Sequence, residues 1–250
     1  GQFRHVRQSF RRAEQSELVA IDDISFYLKS GTLVSLLGPS GCGKTTFLRI
    51  VGGLIRATSG TVRINGLDVT EPQADFGMAF QQPNLMPWRT VLKNVLFPME
   101  LRHDLGPKVR RRAMDLLDLV GLQGFEQSYP AQLSGGMQQR VALCRALIHE
   151  PKILLMDEPF GALDELTRME MQDLLLDIRV KTNATILFVT HSISESVYLS
   201  DSVVIFSKRP ATIADYVDVA LPYPRTAGIR YSTEFTNIEH RAGRALGIIR

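Results

Sequence analysis

Residues 38–46 run Gly38, Pro39, Ser40, Gly41, Cys42, Gly43, Lys44, Thr45 and Thr46. Their spacing is G-x-x-x-x-G-K-[ST], a pattern that carries meaning only between a strand and a helix. Both are expected here, from the apolar run 33–37 (Leu-Val-Ser-Leu-Leu) before it and Phe47-Leu48-Arg49-Ile50-Val51 after it. Glycines let the backbone curl so that successive N–H groups face one point. A helix starting near Lys44 aims its positive dipole end at that same point. Lys44 then reaches outer phosphates as a point charge, and the Thr45 hydroxyl is a hard oxygen ligand for Mg²⁺. The chemistry expected of this stretch is the cradling of a nucleoside triphosphate.

Two more constellations narrow that chemistry. Ile153-Leu154-Leu155-Met156 reads as a buried strand that delivers Asp157 and Glu158 at its carboxyl end. A Mg²⁺ bridging phosphates needs a nearby acid to orient its ligand shell, which suits Asp157. A second acid beside it can polarise an attacking water, which makes Glu158 the candidate general base. Alone, the pair would read as a surface turn; with a phosphate loop on the same chain it acquires a task. Residues 133–140 (Leu-Ser-Gly-Gly-Met-Gln-Gln-Arg) open an amphipathic helix carrying Val141, Leu143, Cys144, Leu147 and Ile148. Ser134 can cap that helix while Gly135 and Gly136 expose backbone N–H groups, so the chain offers a second anion-binding helix start.

The elements that must hold these groups follow from hydrophobic period and turn residues. Phe3, Val6 and Phe10 are candidate strand positions, and residues 19–28 read as an early strand. Residues 60–66 read as a hairpin turning at Asn65-Gly66. Residues 76–80 form a short strand ending at Gln81, after which Pro83, Pro87, Pro98 and Pro107 punctuate a helical stretch. Val109, Ala113, Leu116, Leu117 and Val120 share one face of a helix there. Strand–helix alternation returns over residues 152–206, and it predicts a parallel sheet covered by helices, with ligands at the carboxyl ends of strands. A strand-like run at 212–220, a Pro-Tyr-Pro turn at 222–224 and a closing helix complete the reading.

Composition sets the bounds. With 250 residues, 44% hydrophobic and 22% charged, the chain has the make-up of a globular protein. A net charge of +3 demands no polyanionic partner, and no nucleic acid is expected. Arg4, Arg7, Arg11 and Arg12 precede the first acid, Glu14, and Lys108, Arg110, Arg111 and Arg112 form a second cluster. Both read as solvated surface, with membrane headgroups or an RNA-like ligand as alternatives. Two cysteines, Cys42 and Cys144, make no disulfide framework, and no apolar run approaches the roughly 20 residues a bilayer crossing needs.

The octapeptide at 133–140, the phosphate loop, residues 154–159 (Leu-Leu-Met-Asp-Glu-Pro), Ala162-Leu163-Asp164 and Thr190-His191 together resemble the nucleotide-binding domain of ABC transporters, over essentially the whole chain. The resemblance implies an α/β fold. It would have a P-loop NTPase (RecA-like) core with a parallel sheet, an N-terminal antiparallel β part and an inserted α-helical subdomain. As a single ATPase domain, the chain divides into an ATP-binding core at 1–81 and 151–207, a helical signature subdomain at 82–150 and a C-terminal extension at 208–250. ATP and Mg²⁺ are the implied ligands. The resemblance gives Gln81 to Mg²⁺ and the attacking water, His191 to the γ-phosphate, and Asp164 to communication across a dimer. Gln138 joins the signature contacts, and Phe10 is the candidate for stacking on adenine, with Phe3 as the alternative. It also implies that two subunits, identical or closely related, pack head to tail. Ser134, Gly135 and Gly136 of one would then cap ATP held by Lys44 of the other.

A domain without spans cannot transport alone, so permease subunits and, indirectly, a solute-binding protein are implied partners, with the chain peripheral on the cytoplasmic face of the inner (plasma) membrane. Residues 83–91, with Trp88, follow Gln81 where the family docks its membrane subunit. Leu85, Met86 and Phe97 around Trp88 would make an apolar groove; the competing reading buries Trp88 in the helical part. That segment, residues 207–210 (Ser-Lys-Arg-Pro) and residues 220–225 (Ala-Leu-Pro-Tyr-Pro-Arg) resemble importers of the nitrate, sulfonate, taurine and bicarbonate group. An ABC exporter or lipid-trafficking ATPase is the near alternative, and a soluble DNA-repair or ribosomal ABC ATPase a more distant one.

Overall fold

The computed structural model of the chain describes residues 1–11 and 17–249. Arg12 of the first basic cluster, and Glu14, lie outside the described residues. Along the chain the elements are β1 (Gln2–Arg11), β2 (Glu17–Tyr27), β3 (Leu33–Leu37), α1 (Lys44–Val51), β4 (Ser59–Ile64), β5 (Leu67–Asp68), β6 (Phe76–Phe80), α2 (Val91–Leu101), α3 (Pro107–Leu119), α4 (Gly135–Leu147), β7 (Ile153–Asp157), α5 (Glu165–Thr182), β8 (Thr185–Thr190), α6 (Ile193–Leu199), β9 (Ser202–Phe206), β10 (Ile213–Asp218) and α7 (Thr233–Ala245). They fall into two compact units, residues 1–74 with 185–250, and residues 75–184.

The first unit holds an antiparallel sheet in the order β2-β1-β4-β5 and a run of strands in the order β10-β9-β3-β8. Strands β3, β8 and β9 are buried at every position. Continuous apolar runs of this kind suit parallel strands covered on both faces. β3 pairs in parallel with β8 and with β9, as the alternation predicts. β10 departs from that pattern and runs antiparallel to β9. The connection over residues 207–212 is too short for the crossover of a dozen or more residues that a parallel pair requires. The turn between β4 and β5 has Asn65 at φ 52° and Gly66 at φ 82°, the left-handed pair of a type I′ hairpin.

One aromatic cluster ties the phosphate loop's helix into this unit. Phe47 of α1 lies 5.2 Å from Phe3, 5.6 Å from Phe26 and 5.8 Å from Phe206, ring centre to ring centre. Strands β1, β2 and β9 therefore all pack against one side chain next to Lys44. Edge-on and tilted contacts at these separations add to the burial of Phe47, which is complete.

In the second unit β6 and β7 run parallel, with Phe80 opposite Asp157. The helices follow their signals. Pro107 opens α3, Thr90 caps α2, Ser134 caps α4 and Asp164 caps α5, each cap side chain accepting a backbone N–H. Val109, Ala113, Leu116 and Leu117 are the buried face of α3. Pro98, read as punctuation, instead lies inside α2, where it leaves the Asn94 carbonyl without its usual helical donor.

Candidate functional site

In the first unit the phosphate loop links β3 to α1. Lys44 is 4% exposed, and its ammonium donates to the carbonyls of Gly38 at 2.7 Å and Pro39 at 3.0 Å. The lysine thus closes the loop into a ring from inside. Arg209 donates to the Gly41 carbonyl, and Cys42 N–H donates to the Pro39 carbonyl. Helix geometry gives the first-turn N–H groups of α1 no intrahelical acceptor. Gly43 occupies the N-cap at φ 126°, without a side-chain cap. An added Cβ there would stand 3.0 Å from the Ala20 carbonyl, so the position admits no ordinary capping residue. A helix start with no side-chain cap, over a lysine-braced loop, fits a multiply charged anion.

Cys42 is 2% exposed, and burial pushes its thiol up while the charge of Lys44 opposes that. It packs as a thiol against the loop, as expected. Cys144 is buried in α4, and burial raises it as well. Neither is poised as a thiolate.

Register brings His191 to the same edge. Leu37 pairs with Thr190, so the phosphate loop and His191 leave adjacent parallel strands side by side. The turn that carries His191 is internally tied. Thr190 Oγ1 bonds the Glu195 carboxylate and accepts from Ser192 N–H at 3.0 Å, while Ser192 caps α6. His191 itself is exposed.

The second unit assembles another group of candidates. Phe80 opposite Asp157 sets Gln81 and Glu158 at neighbouring strand ends. A Cβ placed on Gly161 would stand 3.3 Å from Gln81 Nε2 and 3.8 Å from Glu158 Oε2, so amide and carboxylate border one point. Glu158 sits at φ 46°, in the left-handed region that few non-glycine residues occupy, and is half-buried beside half-buried Asp157. Backbone strain of this kind clusters where a side chain must be aimed.

At the signature, the Ser134 hydroxyl accepts Met137 N–H and Gly135 is exposed. A Cβ on Gly136 would come within 2.5 Å of Thr167 Cγ2, so only glycine allows α4 to start this close to α5. Gln138 donates its amide to the Pro130 and Leu133 carbonyls and holds the preceding turn. Asp164 accepts Thr167 N–H at 3.0 Å, and hydrogen bonding from Thr167 holds its carboxyl below the usual range.

Two residues that matter here had no role assigned from the sequence: Gln139, although it lies within the octapeptide at 133–140, and Arg145, which lies outside every motif. Gln139 donates to the carbonyls of Phe80 at 3.0 Å and Pro159 at 2.6 Å, so α4 clamps the strand end before Gln81 to the turn after Glu158. Arg145, one face further along α4, donates to the carbonyls of Pro83 and Asn84. The helix that opens with the signature therefore also holds the loop after Gln81. Of the two aromatics weighed for adenine, Phe3 is 2% exposed within the aromatic cluster, whereas Phe10 is 41% exposed near the end of β1. Only Phe10 presents a face to a ligand.

Trp88 is 74% exposed, and the reading that buried it does not hold. Asn94 explains why. Fully buried in α2, it accepts Met86 N–H and donates to the carbonyls of Met86, Arg89 and Thr90. The turn 86–90 is pinned from below, and the indole is left outside, over a cavity of about 530 Å³ with Leu92, Lys93, Leu96, Leu105 and Arg110 in its lining. No helix among the described residues is long and apolar enough to cross a membrane.

Comparison with known proteins adds to this geometry. The ABC transporter family model matches residues 21–161. An uncharacterised ABC transporter ATP-binding protein of Methanocaldococcus jannaschii is 50% identical over 89% of this chain and 81% of its own. The aliphatic sulfonates import ATP-binding protein SsuB of Bacillus subtilis is 44% identical, covering 88% of this chain and 84% of that one. The taurine import ATP-binding protein TauB of Pelagibacter ubique is 44% identical over 84% and 79%. Among solved structures, the dimeric ATP-binding cassette MJ0796 in a post-hydrolysis state with ADP and Pi superposes with a TM-score of 0.77 at 31% identity, over 88% of this chain and 99% of that one.

Proposed function

The chain belongs to the ABC transporter family, and from that premise we propose that it powers a membrane importer for a small anionic or organic solute of the sulfonate or taurine kind. Its coarser identity is plain: it is an ATP-binding subunit and an ABC-type ATPase with a P-loop NTPase fold. In the site we propose, the loop from Gly38 to Thr46 and Lys44 hold the phosphates, Thr45, Gln81 and Asp157 face Mg²⁺, and Glu158 is the general base. His191 contacts the γ-phosphate and Phe10 lies against adenine. The hydroxyl, amide and carboxylate oxygens of the metal set are the hard donors that Mg²⁺ takes.

The site is proposed to be complete only in a head-to-tail pair of subunits. Ser134, Gly135 and Gly136 then present the start of α4 to the triphosphate of the other subunit, with Gln138 and Asp164 holding the flanks. One triphosphate carries enough charge to engage two helix starts at once. The dimeric state of the MJ0796 cassette supports this reading. Transmembrane permease subunits and, through them, a solute-binding protein are the further partners, with the chain peripheral at the cytoplasmic face of the membrane.

The observation that carries the reading of a membrane partner beyond the relatives' names is Trp88, an exposed indole on a pinned turn at a cavity lined by Leu92, Leu96 and Leu105 together with Lys93, Glu100 and Arg110. A rigid aromatic of this kind is the anchor expected where a partner helix seats in a groove. Trp88→Ala should weaken co-purification of the permease by about tenfold or more. Because the side chain is exposed, ATP affinity and the unfolding midpoint of the isolated subunit should stay as they are. Unchanged assembly would remove Trp88 from the interface, and recovery of a coiled-coil or ribosomal partner with no permease would overturn the transporter reading.

A further inference from the structure

Residues 220–225 (Ala-Leu-Pro-Tyr-Pro-Arg) were notable only as a resemblance, and the nucleotide site gives them no task. Their contacts converge on one short helix. Arg225 is 6% exposed, and one terminal nitrogen of its guanidinium donates to three carbonyls at the carboxyl end of α6, Val197 at 3.1 Å, Tyr198 at 2.8 Å and Ser200 at 2.8 Å. The guanidinium also lies 4.2 Å from the ring of Tyr223, whose hydroxyl donates to the Leu199 carbonyl at 3.3 Å. Farther along, Arg230 stacks 3.7 Å over the Tyr198 ring and donates to the Ser194 hydroxyl. α7 then packs on α6, with Ile193 within reach of Gly243.

α6 needs this help. At 7 residues it is far below the length at which a helix holds itself in water. Its last turn contains no basic residue to meet the negative dipole end, a task that Arg225 performs from outside the helix. The opposite end of α6 begins at Ser192, directly after His191. A rigid short helix that is held at its carboxyl end and along its side delivers its amino end to a fixed place.

We propose that residues 219–231 and α7 form a strap that fixes α6 and, through it, the position of His191, with Arg225 as a positioning residue for ATP hydrolysis. The proposal rests on the reading of His191 as the γ-phosphate contact, and the experiment separates the two.

In the full chain, Arg225→Ala should lower kcat by about ten- to a hundredfold with little change in KM for ATP, because misplacing a catalytic group acts on the reacting state and leaves ground-state binding intact. Arg225→Lys should recover part of the loss, since an ammonium still meets the carbonyls. The His191 ring resonances should shift in Arg225→Ala. In a His191→Ala background, Arg225→Ala should cost nothing further. Unchanged kcat, or an equal loss with and without His191, overturns the strap. If His191→Ala alone keeps full turnover, the γ-phosphate reading fails and with it the role of Arg225 in hydrolysis; the ring resonances then decide the structural strap alone, with displaced signals supporting it and unmoved signals overturning it. Should Arg225→Ala fail to fold, Tyr223→Phe, which removes only the bond to Leu199, takes its place under the same criteria.

Discussion

Glu158→Gln is expected to lower ATP turnover by about 10²- to 10⁴-fold, the range a positioned general base contributes, while ATP still binds. The substitution keeps the shape of the side chain and removes its basicity. Its surroundings should tolerate the amide, since Glu158 is half-buried and already borders the Gln81 amide through Gly161. Binding without hydrolysis also has a structural consequence. The γ-phosphate contacts proposed to hold two subunits together would persist, so the variant should elute as a dimer with ATP where the unaltered chain returns to monomer. Steady-state turnover and size-exclusion chromatography read both effects. Retained hydrolysis would exclude Glu158 as the base.

Lys44→Met is expected to reduce hydrolysis by about 10²- to 10³-fold, the scale seen when a fixed charge-stabilising donor is removed, and to weaken ATP binding as well. Two losses combine. The point charge over the outer phosphates disappears, and the carbonyls of Gly38 and Pro39 lose the ammonium that draws them inward. The loop should therefore be less ordered before nucleotide arrives, which distinguishes this variant from Glu158→Gln, where affinity survives. Lys44→Arg should not restore activity, because the wide guanidinium cannot occupy the compact, 4% exposed position of the ammonium. Full activity in Lys44→Arg would mean that charge alone is enough.

Much of the proposed site was legible in the sequence because its motifs are local. A glycine-rich loop between an apolar run and a helix, and two acids after four buried residues, declare themselves within ten positions or so. Asn65-Gly66 was legible for the same reason, since only certain residues accept two successive left-handed conformations. What escaped was long-range. Arg145 and the Pro83 carbonyl it holds are 62 residues apart, Gln139 and the Phe80 carbonyl 59, and Arg209 and the Gly41 carbonyl 168. No periodicity records such bonds, because an arginine on a helix looks the same whether it meets water or a distant carbonyl. The exposure of Trp88 was likewise set by Asn94, whose polar bonds to residues 86–90 override the tendency of an indole to be buried. The antiparallel course of β10 came from connection length rather than from the pattern of β10 itself.

The proposed division of the site between two subunits can be measured by mixing two inactive proteins. Lys44→Met removes the phosphate loop's function and leaves the signature intact. Gly135→Asp does the reverse, placing a carboxylate where the other subunit's triphosphate would lie; nothing stands within 4 Å of a Cβ at Gly135, so the chain itself is not disturbed. In a differently tagged heterodimer, one site joins both lesions and the other joins an intact loop to an intact signature. If the halves come from different chains, the purified heterodimer should recover about half of the unaltered turnover. A heterodimer no more active than either variant alone would contradict the shared site.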